Sequence, residues 1–105
     1  MLPKTQRINT QRFGEIMASG RNINAGGFYL KTLNNDSLRF AVAIPKKVVK
    51  SAIKRHLLKR RIFNIIKENK DLFPVADYIV FTNKEALDLN RVQMEEAIKI
   101  AAQKV

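Results

Sequence analysis

Between Lys46 and Arg61 the chain carries eight Lys or Arg in sixteen residues, with no acid and no Gly or Pro among them. So dense a run of like charge folds only if the same segment also supplies anchors. Ala52, Ile53, Leu57, Leu58, Ile62, Phe63, Ile65 and Ile66 are threaded through and beyond the cations. A disordered basic tail lacks such residues, so the segment reads as a folded helix that presents cations in fixed positions. The pattern predicts one long helix from just after Pro45 to about Lys70, broken by Leu72-Phe73-Pro74. Leu58, Ile62, Ile65 and Ile66 follow the i, i+4, i+7, i+8 spacing of a buried stripe, while Lys50, Lys54 and Arg61 share another, exposed face. Arg55 and Lys59 fall on the N-terminal continuation of the stripe. Burying them would cost roughly several kcal/mol each, so the first turns are expected to project past the sheet or to let these side chains snorkel outward.

The charge is local. Residues 1–67 hold 15 Lys and Arg against Glu15 and Asp36, a balance of +13, whereas residues 68–105 balance to −2. With a pI near 10.4, this is the electrostatic footprint of a domain that displaces counterions from a nucleic acid. A solvated charged helix usually carries both signs, and an acidic lipid surface is the other polyanion such a face would meet.

At 105 residues the chain fits a single domain, residues 1–105, with one core. A hydrophobic fraction of 46% argues against disorder. The absence of cysteine excludes disulfides, thiolate metal sites and cysteine nucleophiles and is compatible with a reducing compartment. No apolar run approaches the roughly 18 residues of a membrane span. Met1-Leu2-Pro3-Lys4 leads into polar sequence and not into a signal peptide's apolar segment. A cytoplasmic protein with no membrane partner is expected.

Elsewhere, Asn9 or Thr10 caps a short helix with Phe13, Ile16 and Met17 on one face, ended by Gly20. Residues 22–27 read as a flexible link. Phe28–Leu33 and Leu38–Ile44 alternate in the strand period around Asn34-Asn35-Asp36-Ser37 and read as a hairpin. In the second strand Leu38, Phe40, Val42 and Ile44 face one side, and Arg39, Ala41 and Ala43 the other, where small side chains leave room for a groove. Tyr78-Ile79-Val80-Phe81 is apolar on both faces, as an interior strand requires. Met94, Ala97, Ile98, Ala101 and Val105 share a face of the last helix. The order α-β-β-α-β-α predicts an α+β sandwich, helices against a mixed sheet.

Catalytic chemistry is sparse. His56 is the sole histidine and has no cysteine to help it hold a transition metal, so it is either an RNA-contacting ring or a plain surface residue. Glu95 and Glu96 are adjacent on a helix and diverge by roughly 100°. Gly26-Gly27 lacks the spacing of a phosphate-binding loop. A two-metal nuclease centre is hard to assemble from the few carboxylates in the basic two thirds, so if the chain belongs to a nuclease its catalytic groups come from elsewhere. Phe13, Phe28, Tyr29 and Phe40 are the aromatics able to stack on unpaired bases. Phe13 and Phe28 are candidates for the groove, and Phe40 belongs to the core.

The ordered set Leu2-Pro3-Lys4, Arg12-Phe13, Gly20-Arg21, Arg39 to Ile44 leading into Lys46-Lys47, then Lys50, Arg55, Lys59-Arg60 and Asp77-Tyr78-Ile79-Val80 resembles the protein subunit of bacterial ribonuclease P over nearly the whole chain. The family's Arg-Asn-Arg segment followed by a basic pair reads here Arg55-His56-Leu57 and Lys59-Arg60, with Arg61 or Lys54 as substitutes for the missing arginine. Met17 stands where the family often has an aromatic. The resemblance implies a two-layer fold like the second domain of ribosomal protein S5, with a left-handed βαβ crossover. It also implies a non-catalytic subunit of an endoribonuclease, beside a catalytic RNA that holds the Mg²⁺ and cleaves precursor tRNA at the 5′ end of the mature sequence. No metal held by protein alone and no protein partner is implied. Lys46, Lys47, Lys50, Lys54, Arg55, His56, Lys59, Arg60 and Arg61 would contact RNA, and Arg12, Phe13, Met17, Phe28, Lys31 and Arg39 would form the groove for the pre-tRNA leader. A ribosomal or other structural RNA-binding protein, and an autonomous nuclease, are the readings that compete with this one.

Overall fold

The computed structural model describes residues 8–105, so Leu2-Pro3-Lys4 and the polar start of the chain lie outside the described residues. Helix α1, Thr10–Ser19, is capped by Asn9, whose Oδ1 accepts from the Arg12 amide at 2.8 Å. It stops where Gly20 lets the backbone close on Ile16, since a Cβ there would collide with the Ile16 carbonyl. Four strands follow: β1 Arg21–Ala25, β2 Phe28–Asn34, β3 Arg39–Ala43 and, after helix α2 at Ala52–Asn69, β4 Ala76–Thr82. Helix α3, Arg91–Gln103, opens on a full capping box between Asn90 and Gln93.

The expected element order gains a strand. The supposed link at 22–27 holds β1, an edge strand with Ile23 and Ala25 turned inward and its asparagines outward. Asparagine disfavours strands, which masks the alternation. Gly26, at φ +57°, makes the tight turn into β2. The hairpin is therefore β1–β2, and not the pair β2 and β3 expected from sequence. The sheet order is β1-β2-β4-β3, so β4 lies between those two strands, antiparallel to β2 and parallel to β3. Alternation fixes which face a residue takes but carries no label for its partner strand. The interior place of β4 matches its burial at all seven positions.

Tyr78, Val80, Phe40, Val42, Phe28 and Leu30 point to one face, where Ile62, Phe63, Ile65 and Ile66 of α2 and Met94, Ala97, Ile98 and Ala101 of α3 complete the core. Ile79, Phe81, Ala41, Ala43 and Tyr29 point to the other face, which α1 covers in part through Ile16 and Phe13.

Helix α2 begins six residues later than expected. Pro45 first accepts from the Val48 and Val49 amides in a tight turn, and Ser51 then caps the helix by accepting from the Lys54 amide. Lys46, Lys47 and Lys50 accordingly ride on a loop ahead of the helix and not on the helix itself. No helix of the described residues is long and apolar enough to cross a membrane.

Candidate RNA interface

From Ser51 to Arg61 only Arg55 and Leu58 are even half-buried, whereas from Ile62 onward the apolar stripe is sealed against α3 and β3. The first turns of α2 thus stand clear of the core, as the cations on the stripe's continuation required. Lys46, Lys47, Lys50, Lys54, Lys59, Arg60 and Arg61 are exposed, and none has a carboxylate within ion-pair distance among the described residues. Arg55 differs: one of its terminal nitrogens donates to the Val49 and Lys50 carbonyls, at 2.9 and 2.8 Å. It ties the basic loop to the helix and fixes where Lys46, Lys47 and Lys50 sit. Exposed His56 lies with Lys59 between two shallow depressions, one shared with Arg60 and Phe63, the other with Val42 and Ile44 at the β3 edge.

The cations on the α1 side behave in the opposite way. Asp77 of β4 is fully buried, and its two oxygens accept from Arg12 Nε at 2.6 Å, from Arg39 through two nitrogens at 2.7 Å each, and from Asn35 at 3.1 Å. Burial would raise the Asp77 pKa, but the hydrogen bonds from Arg39 and Arg12 outweigh it and hold the carboxyl below its usual range. The same bonds raise both arginines above theirs. Arg12 further donates to Glu15 and to the Asn34 carbonyl, so its fork is spent inside the protein. Arg12 and Arg39, expected as groove cations, therefore build the groove's wall by locking α1 and β3 to β4.

Beyond that wall the α1 face is open. Ala41 and Ala43 are half-buried and small, Tyr29 stacks on Phe81 with ring centroids 4.6 Å apart, and Lys31 shares the face by its register opposite Ile79. Phe13 is half-buried against Ile79 and Phe81, and Met17 is 40% exposed. Phe28, expected in this groove, is instead fully buried in the opposite core, because strand alternation sends it with Leu30 to the α2 side and leaves Tyr29 and Lys31 on this one. Phe81 and Asp77 were missed as site residues. The apolar run from Tyr78 hid the role of Phe81, and only the register Arg39 opposite Asp77 reveals the acid's partner.

Among the described residues no three His, Cys, Asp or Glu side chains gather as a metal site. The buried carboxylate Asp77 is already saturated by arginine.

Comparison with known proteins gives one answer. The family model described as Ribonuclease P matches residues 2–105. The ribonuclease P protein component of Lactobacillus johnsonii is 30% identical over 92 residues, covering 83% of this chain and 75% of that protein. That of Lactobacillus helveticus is 26% identical over 98 residues, covering 89% and 80%. The solved RNase P protein of Staphylococcus aureus superposes with a TM-score of 0.84 at 26% identity, covering 96% of this chain and 95% of that one. The RNase P protein from Thermotoga maritima reaches the same TM-score at 20% identity over 94% and 96%, which speaks for the fold.

Proposed function

We propose that this chain, which belongs to the ribonuclease P protein family, grips the enzyme's catalytic RNA with its 46–61 surface and the 5′ leader of precursor tRNA with the α1 face of the sheet. Membership makes it a component of an endoribonuclease complex with an RNA partner. A structural RNA-binding protein outside any enzyme is not favoured by a family match that spans residues 2–105.

The observation that carries the reading is the set of seven exposed cations around the start of α2 with no acid partner among the described residues. Cations left unpaired by the fold are available to phosphates, and each phosphate they neutralise releases a condensed counterion. Their positions are held by the Ser51 cap and the Arg55 bonds, so little ordering is left to the moment of binding. The leader site is supported by different chemistry. Small Ala41 and Ala43 leave space, Phe13 and the Tyr29–Phe81 pair offer ring surfaces for unstacked bases, and Lys31 supplies a charge.

Phosphodiester hydrolysis is assigned to the RNA subunit, which also holds the Mg²⁺. This assignment is supported by the protein's own side chains, since Asp77 is engaged by two arginines and a strongly cationic surface repels divalent ions toward RNA phosphate oxygens. The protein's contribution is to lower the repulsion between catalytic RNA and substrate and to align the leader. A precursor-tRNA substrate puts this work in the cytoplasm.

The test is reconstitution with a ribonuclease P RNA and precursor tRNA at low magnesium. The protein should accelerate cleavage over RNA alone and should cleave nothing by itself. No acceleration would contradict the proposal.

A further inference from the structure

A cavity of about 590 Å³ lies on the flank of α2, between the loop ahead of it and the segment leading to α3. Its floor is aliphatic, formed by Val48, Val49, Leu58, Leu89 and Met94, the last fully buried. Lys50, Lys54 and Arg61 stand at the rim, and no acid lines it. At the mouth Leu57 and Leu87 are 57% and 45% exposed, apolar surface that the fold leaves uncovered beside three cations.

We infer that this cavity receives one unstacked nucleotide of the bound RNA, its base on the aliphatic floor and its phosphate among Lys50, Lys54 and Arg61. The inference rests on the RNA-binding reading and adds a subsite to it. The volume falls within the range of about 300–1,000 Å³ usual for small-molecule sites, and an apolar interior with a few polar groups at the edge is the usual build of such sites. Charge complementarity selects an anion. Continuity selects a nucleotide over other amphipathic anions, because Lys50 and Lys54 at the rim follow directly on the exposed, unpaired Lys46 and Lys47 of the loop ahead of α2. A phosphate track passing over those residues brings a base to the mouth of the cavity, and a base taken out of its stack is held by contact with apolar or aromatic side chains. Leu87 and Leu89 thereby join the interface, although they lie outside the basic segment.

The experiment is a titration of the full chain, labelled at Leu, Val and Met methyls and at backbone nitrogen, with AMP, GMP, CMP and UMP, with ribose 5-phosphate, and with octanoate. RNA binding is followed in parallel at low salt. At least one mononucleotide should shift the Leu57, Leu87 and Met94 methyls saturably, whereas ribose 5-phosphate should move only the amides around Lys50, Lys54 and Arg61. Leu87→Glu should weaken that nucleotide about tenfold, and Val92→Glu, at an exposed apolar position away from the cavity, should not. Leu57→Ser provides a second block should Leu87→Glu perturb the fold. Silent methyls with all four nucleotides, equal methyl shifts with ribose 5-phosphate, or tighter binding of octanoate would each overturn the inference while RNA binding itself persists. Loss of RNA binding by the unmodified chain would overturn the RNA-binding reading along with it.

Discussion

Lys59 and Arg60 in the first half of α2 carry the same charge as Arg12 and Arg39 across the sheet, yet the fold treats the two pairs in opposite ways. On the α1 side both guanidinium groups converge on buried Asp77, and the wall of the groove depends on that convergence. At the start of α2 the cations face outward with no carboxylate in reach among the described residues, and the only long basic side chain tied down there is Arg55, by backbone carbonyls and not by an acid. Charge density in the sequence is therefore a poor guide to availability. A cation counts toward a phosphate surface when the fold has left it without a partner, and a cation beside a buried acid counts toward stability.

The sharpest way to break this contrast is Asp77→Asn, which leaves two arginines without their carboxylate. It should cost about 3 kcal/mol of stability in a urea titration while the folded fraction keeps its affinity for ribonuclease P RNA. A small loss would mean that Arg12 and Arg39 are held by other contacts. The same residue sets an acid limb. Its folded pKa lies below the ordinary aspartate value, so its stabilisation is present above about pH 4 and is lost as pH falls further, through the folded value. The wild-type urea midpoint should drop below about pH 4, and Asp77→Asn should flatten that drop.

Phe13→Ala probes the groove that the Asp77 wall supports. Because Phe13 is half-buried, the stability loss should stay near 1–2 kcal/mol, short of the 3–5 of a fully buried Phe. In the assembled enzyme the affinity for precursor tRNA should fall about tenfold with mature tRNA unaffected, since only the precursor has a leader. An equal loss for both tRNAs would remove Phe13 from the leader site. A smaller effect is expected of Arg55→Ala, which strips the Val49 and Lys50 carbonyls of their donor. About 1 kcal/mol of stability should go, and RNA affinity should fall through loosened Lys46, Lys47 and Lys50 as well as the lost charge. Arg55→Lys should restore charge without the two-carbonyl clamp, so full recovery of affinity would dismiss the clamp.

Much of this was legible from residue pattern. The projecting first turns of α2 followed from Arg55 and Lys59 sitting on an apolar stripe, and the interior place of β4 from apolarity on both its faces. The faces of β3 also followed from alternation. What pattern could not supply was pairing. The same alternation fits β3 beside β2 or beside β4, and only the packed sheet decides. Strand β1 was hidden by two asparagines whose side chains point to solvent, although Gly26-Gly27 after Ile23 and Ala25 is a recognisable hairpin turn. Phe28 was misplaced because a single aromatic in a strand has two possible faces until its neighbours' burial is known. The engagement of Arg12 and Arg39 was invisible for a related reason, since Asp77 is 65 and 38 residues away from them in sequence.

The central claim, that availability of cations and not their number defines the RNA surface, is tested most directly by the salt dependence of binding to ribonuclease P RNA. Lys59→Ala with Arg60→Ala should lower the log–log slope by about 2, one unit for each phosphate contact, with the urea midpoint unchanged. Arg39→Gln, which removes the same kind of charge, should leave the slope within error of wild type and lower the urea midpoint instead. Equal slope reductions in both variants, or an unchanged slope in the first, would contradict the account.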